Sequence, residues 1–254
     1  MSSVNIIQEP IYNQIKNTNS GFTNKHLVGI SDAITSGLEV VGFNNTTQYI
    51  EYNGVVALDV VSSDAQDDSS GTGAKTVQVS GLYSDSGDNN RYKQRVAIFT
   101  LDGTSNASLA SGTNSFSVIN EVKVISHGTS NTNVGNISVK KTGTSSLMGF
   151  IQAEHGRSNA FMFAVSNRNT LLVKDIHVSA FCQTGCVLRL YRQNLISGHR
   201  TLESQLLIND QTTHINHQVN LKINENEIFY SFLLPLEAIT GTNFLTMNCS
   251  ALLV

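Results

Sequence analysis

The 254-residue chain contains no tryptophan, two prolines and three cysteines, and only 7% of it is aromatic. Charge is scarce too: 14% of residues are Asp, Glu, Lys or Arg, against about 25% in ordinary soluble domains. Each shortage excludes something. An odd, small number of cysteines cannot build the disulfide framework of a small secreted domain. A net charge of −3 and a pI near 6.1 supply no broad attraction to nucleic acid or to an anionic membrane, so neither is expected as a partner. A polysaccharide hydrolase would carry aromatic platforms and paired carboxylates, and the lack of tryptophan speaks against one. No run approaches the length of a membrane-spanning helix. Met1-Ser2-Ser3-Val4-Asn5 lacks the basic and apolar regions of a secretory leader, which leads us to expect a chain made in a cytoplasm and soluble until it assembles.

Ser, Thr, Asn and Gly take the place of the missing charge, and these residues favour turns over helix interiors. Residues 69–82 show the pattern that recurs along the chain: a Gly/Ser turn, then alternating Val77 and Val79, then Gly81. Strands are expected at 38–43, 47–52, 55–62, 76–82, 91–101, 116–126 and 136–141. A second group is expected at 147–154, 160–165, 171–181, 187–193, 202–208, 217–223, 228–234 and 244–254. Asn53-Gly54 is the sharpest hairpin signal. No long segment has a helical apolar period. The expected fold is all-β: two antiparallel β-sandwich, jelly-roll-like parts at 36–143 and 144–254, with a hinge at 142–146. Residues 1–35 read as an extended N-terminal arm, or as a plain edge strand and loop.

Several side-chain groups invite a chemical reading. His214 and His217 have metal-ligand spacing, but on a strand an odd offset sends them to opposite faces. Asp64, Asp67 and Asp68, with Asp85 and Asp88, would bind calcium only if two loops met, and a solvated acidic turn is expected instead. Glu154 and His155 are adjacent on an expected strand and point apart, with no nucleophile motif nearby. Arg91, Lys93 and Arg95 alternate along a strand, as a solvated face or as a charged rim for an acidic neighbour. Cys182 and Cys186 flank Gln183-Thr184-Gly185, a candidate hairpin tip, but two thiols make a poor zinc site. With Cys249 they are expected to be inert free thiols. No Gly-x-Ser-x-Gly elbow or phosphate loop is present. We therefore expect no enzyme, and assign no catalytic, cofactor-binding or metal-ligating residue.

One set of motifs points further. Gly71-Thr72-Gly73-Ala74-Lys75-Thr76-Val77, Gly81-Leu82, Leu101-Asp102-Gly103-Thr104, Thr113-Asn114-Ser115-Phe116, Ile119-Asn120, Gly128 and Val134-Gly135-Asn136-Ile137 follow one another over about residues 55–142. In that order and spacing they resemble a family of virion structural proteins of tailed bacteriophages, in which Gly-Thr-Gly-Ala-Arg-Thr-Val opens the series. Ile151-Gln152-Ala153-Glu154-His155-Gly156 and residues 161–165 and 171–176 are similar to that family's later region. Its usual Pro-Ala-Gly turn is replaced here by Ser166-Asn167-Arg168-Asn169, and no alignment extends past about residue 195. The resemblance implies a virion component without enzymatic activity or cofactor: a capsid decoration or minor capsid (cement) protein, or a head-fibre or tail-associated protein binding a receptor or glycan. It implies major capsid protein or neighbouring virion subunits as partners, and a homo-oligomer. A trimer would match the local three-fold positions of such shells. For an adsorption protein, the loops at 64–73 and 194–200 would carry recognition.

Overall fold

The computed structural model describes residues 23–31, 39–41, 48–52, 54–89, 91–182, 185–208, 213–236 and 244–254. Most of the expected arm, residues 1–22, lies outside the described residues, as does Asn53 of the expected hairpin. Among the described residues, sixteen strands and a single 3-10 turn at Ser86–Asp88 make up the regular structure, and every strand pair is antiparallel. The fold is all-β, as expected.

An N-terminal sandwich stacks two sheets. One is ordered β3 (Leu58–Ser62), β8 (Ile137–Lys141), β9 (Leu147–Ile151). The other is ordered β6 (Ser105–Gly112), β5 (Arg91–Asp102), β4 (Ala74–Asp85), β7 (Val118–His127). Its core takes Val60, Val139 and Ile151 from the first sheet and Val77, Val79, Phe99 and Val122 from the second. Thr142–Ser146, expected as a hinge, is instead the turn of the β8–β9 hairpin: Lys141 N donates to Ser146 O and Gly143 has φ +72°. Polar small residues suit a hairpin tip as well as a linker, so composition alone could not separate the two.

The C-terminal sandwich pairs β1 (Thr23–Ser31), β16 (Phe244–Leu253), β11 (Leu171–Phe181) and β14 (Thr213–Ile223) in that order. Facing them are β10 (Met162–Ala164), β15 (Glu227–Pro235), β12 (Cys186–Asn194) and β13 (Arg200–Ile208), with β2 (Glu39–Val40) also on β15. β16 shows why these residues form strands: Leu245, Met247, Cys249, Ala251 and Leu253 point inward while the residues between them face out. On β11 the inward set moves from Leu171 and Val173 to Ile176, Val178 and Ala180, and a bulge at Val173/Asp175 absorbs the change of phase. Each fully buried aliphatic or Phe side chain contributes roughly 1.5–3 kcal/mol.

Cys182 and Cys186 are bonded as a disulfide where the chain leaves the sheet of β11 and enters that of β12. This corrects the expectation of free thiols. The crossing takes only three intervening residues, which leaves the two Cα atoms 6.2 Å apart with both side chains buried, a spacing a disulfide spans. Cys249 is free and buried, and burial pushes its thiol up to about 12, so it stays protonated.

A third apolar cluster joins the sandwiches: Leu82, Tyr92, Val118 and Phe150 on one side, Tyr191, Ile228, Tyr230 and Phe232 on the other. Polar clamps pin the same seam. Asn120 donates to Ala164 O at 2.9 Å and accepts from Ala164 N at 2.8 Å. Asn226 Oδ1 accepts from Tyr92 N at 2.9 Å, and Tyr92 OH donates to Leu195 O at 3.1 Å. The Asn226 clamp is buried and the Asn120 clamp partly so, and satisfied polar pairs of this kind favour one fixed arrangement of the seam.

Candidate functional site

The motif residues of the N-terminal half close its loops and edges. Asp67 is fully buried, which corrects the expectation of a solvated acidic turn. Its Oδ1 accepts from Ala74 N and Val134 N, both at 2.8 Å, and its Oδ2 from Ser62 Oγ at 2.6 Å and Gly135 N at 2.9 Å. Four donors fill all the acceptor sites of a carboxylate. A Cβ on Gly73 would collide with Asp67 Oδ1, so the glycine of that motif is required. The amide of Asn114 copies a neighbouring strand: it accepts from Leu58 N at 2.7 Å and donates to Leu58 O at 2.9 Å, shutting the edge of β3. Residues 156–158 do the same for β7, where Val124 N donates to Gly156 O and Ser158 N to Val122 O, both at 2.8 Å.

The remaining acidic residues do not join Asp67. Asp64 and Asp68 cap their own turns through Gln66 N and Ser70 N at 2.8 and 2.7 Å. Asp85 and Asp88 pair with Lys93 at 2.7 and 3.1 Å, and Asp88 with Arg91 at 3.7 Å, all within the β4–β5 hairpin. Arg95 lies over the Tyr83 ring at 3.6 Å and donates to Ser115 O at 2.7 Å. The three cations are thus engaged within their own sandwich rather than forming a free rim.

His214 is exposed on β14 and contacts Ser179 Oγ at 2.9 Å. His217 lies on the opposite face, against Ser204 Oγ at 2.9 Å. Among the described residues no three His, Cys, Asp or Glu side chains are placed to hold a metal ion. Glu154 and His155 sit in a turn beyond β9 and not on a strand; Glu154 has φ +67°, and Asn159 Nδ2 lies 2.7 Å from His155 Nδ1. The 64–73 loop is pinned around Asp67. In the 194–200 loop, Leu195 is buried in the seam and Asn194 Oδ1 caps Ile196 N and Ser197 N.

Sequence reasoning missed a cleft beside the seam. Residues 48–52, expected as part of a strand, run extended with only isolated bonds: Tyr49 N donates to Leu147 O and Glu51 N to Ser117 O, both at 2.8 Å. With Ser145, Ser146 and Leu147 they line an open cleft. Tyr49 OH donates to Glu51 Oε2 at 2.5 Å, and Lys141 Nζ donates to Tyr49 OH at 3.0 Å and to Glu51 Oε2 at 3.1 Å. The Tyr49 hydrogen bond and then the ammonium hold the Glu51 carboxyl below its ordinary range against an opposing push from burial, and the same partners raise Lys141. Tyr52, 41% exposed, forms the rim. Gln48 is buried: its Nε2 donates to Ile119 O at 3.0 Å and Met148 O at 2.5 Å, while its Oε1 has no partner. Only the Tyr49-x-Glu51 alternation could have drawn attention to this site, because Lys141 is remote in sequence.

No family model and no curated protein matches the chain. Among solved structures it is similar to that of the infectious bursal disease virus Gt strain, at 10% identity over 93% of this chain and 73% of that one, with a TM-score of 0.22. The infectious bursal disease virus Gx strain gives 11%, 94%, 73% and 0.24. A mutant VP2 protein of the same virus, in derived T=1 particles, gives 12%, 94%, 71% and 0.24. A likeness this weak carries no argument about function.

Proposed function

We propose that this chain is a non-enzymatic structural component of a virion, a capsid decoration or minor capsid protein that stabilises the shell through protein–protein contacts. The observation that carries this reading is one open flank. β13 and β14, the edge strands of the two C-terminal sheets, lie side by side, joined by His217 and Ser204. Between and beside them Leu206, Ile215, Val219 and Leu221 pack on the core but are only half-buried, and Leu202 and Leu207 are 48% and 58% exposed. Free backbone edges with apolar side chains at core level suit a neighbouring subunit. The N-terminal sandwich, clamped at its β3 and β7 edges, supplies the rigid counterpart. The phage-like motifs support the same reading, since their residues are engaged in architecture.

Cryo-electron microscopy of the purified particle tests this. Density for this fold over the capsomers is the expected result, repeated so that weak contacts act together. Density at the tail tip would replace decoration with adsorption. Absence of the chain from purified particles would end the reading.

A further inference from the structure

Most sheet edges of this molecule are shut or charged, and β6 is neither. Among the described residues the strands that end a sheet are β1, β14, β10, β13, β3, β9, β6 and β7. β9 and β10 are buried along their whole length. β1 carries Lys25, β3 Asp59, β7 Glu121 and Lys123, β13 Arg200 and Glu203, and β14 Lys222. β6 lies instead in a stretch from Gly103 to Asn120 that contains no charged residue and no proline. Every residue of β6 but Ala107 is exposed. Among the described residues its backbone is bonded only to β5, with no cover like the one that Asn114 gives β3. Charge and proline are ordinary means by which a protein keeps an open edge from pairing with another strand.

We propose that β6 pairs with the β6 of a second copy of this chain, antiparallel about a two-fold axis, joining two four-stranded sheets into one. The absence of charge selects a second copy over a foreign strand. In a two-fold contact the residues nearest the axis meet their own counterparts, so any charge there would face the same charge. β6 is the exposed edge strand that avoids this. A foreign strand is steered and discriminated by complementary charge, and β6 offers none. The side chains fit as well: Leu109, 43% exposed, is the single large one, and the others are Ser, Asn, Ala and Gly. β6 is bulged against β5 at Ala110, where Ile98 lies opposite Ser111 and Phe99 opposite Leu109, and again between Ser105 and Ser108. These bulges bend the strand and confine the pairing to its middle, which puts the axis at Leu109. The contact is short, so the dimer is weak. It leaves β13 and β14 free for a shell.

Sedimentation velocity on the purified chain up to about 100 μM tests the proposal, with a monomer–dimer equilibrium as the expected result. Leu109→Lys sets like charges on the axis and should weaken dimerisation about tenfold or more, with the thermal midpoint unchanged because the side chain is exposed. Leu207→Lys, on the β13 flank, should leave the equilibrium as it is. A short bismaleimide should link Leu109→Cys to itself but not Ser105→Cys, whose two copies stand more than about 20 Å apart across the axis. The parent is the control, since its free thiol, Cys249, is buried. Monomers throughout that range, dimers that survive Leu109→Lys or vanish with Leu207→Lys, or linkage through Ser105→Cys as ready as through Leu109→Cys would each overturn the proposal. None of these outcomes bears on whether the chain belongs to a virion.

Discussion

The two sandwiches are built from the same strands-and-turns vocabulary but are held together differently. In the N-terminal one, side-chain oxygens and amides reach across to backbone groups: Asp67 ties three chain segments together, and Asn114 acts as a missing strand. The C-terminal one relies on a larger, almost wholly apolar core and one disulfide, and leaves a flank open. Polar clamps specify geometry and shut edges, whereas apolar burial is tolerant and leaves surface available for a neighbour. The first sandwich is clamped at β3 and β7 and ends in the exposed strand β6. The second ends at β13 and β14, linked across its two sheets by His217 and Ser204.

Paired substitutions can break or sharpen that contrast. Asp67→Ala strands three backbone donors inside the first sandwich and should cost about 3–5 kcal/mol. Phe229→Ala should cost about the same in the second by opening a cavity. Denaturant unfolding measures both, and a tolerated Asp67→Ala would erase the distinction. Replacing both bridged cysteines, Cys182→Ala with Cys186→Ala, should lower stability by about 2 kcal/mol, as expected for a very short closed loop. Asn114→Ala, at a partly exposed edge, should cost about 1–2 kcal/mol and make the β3 amides exchange faster with solvent.

The halves should also differ in pH response, and this is the smallest effect. Cys249 has a raised folded value, so its contribution is complete below the ordinary thiol value of about 8.5 and declines as pH rises towards 12. Glu51 is depressed in the folded state, so its contribution is present above about 4.3 and is lost as pH falls through the lower folded value. Melting temperature against pH should lose part of its alkaline slope in Cys249→Ala and part of its acid slope in Glu51→Gln.

Alternation made most of the C-terminal strands legible, because residues such as Met247, Cys249 and Ala251 alternate with polar neighbours. The segment Ser105–Gly112 gave no such signal: every residue but Ala107 is exposed, and β6 is recognisable only by its pairing with β5. The disposition of His214 and His217 followed from strand geometry alone. Burial of Asp67 did not, since a carboxylate among Gly, Ser and Asp looks solvated until its four donors, drawn from residues 62, 74, 134 and 135, are assembled. The cleft was hidden for the same reason, its Tyr49, Glu51 and Lys141 meeting only in three dimensions.

β16 lies between β1 and β11, with Thr23 opposite Leu253 on one side and Leu171 opposite Leu253 on the other. During synthesis, then, β1 leaves the ribosome early and finds no partner until almost every other strand has been made. The N-terminal sandwich, whose strands are all local to residues 58–151, can close while the rest is still being translated. Maturation therefore runs from the N-terminal sandwich to the C-terminal one, and the sheet that carries β1 is joined to β11 only once β16 has been made.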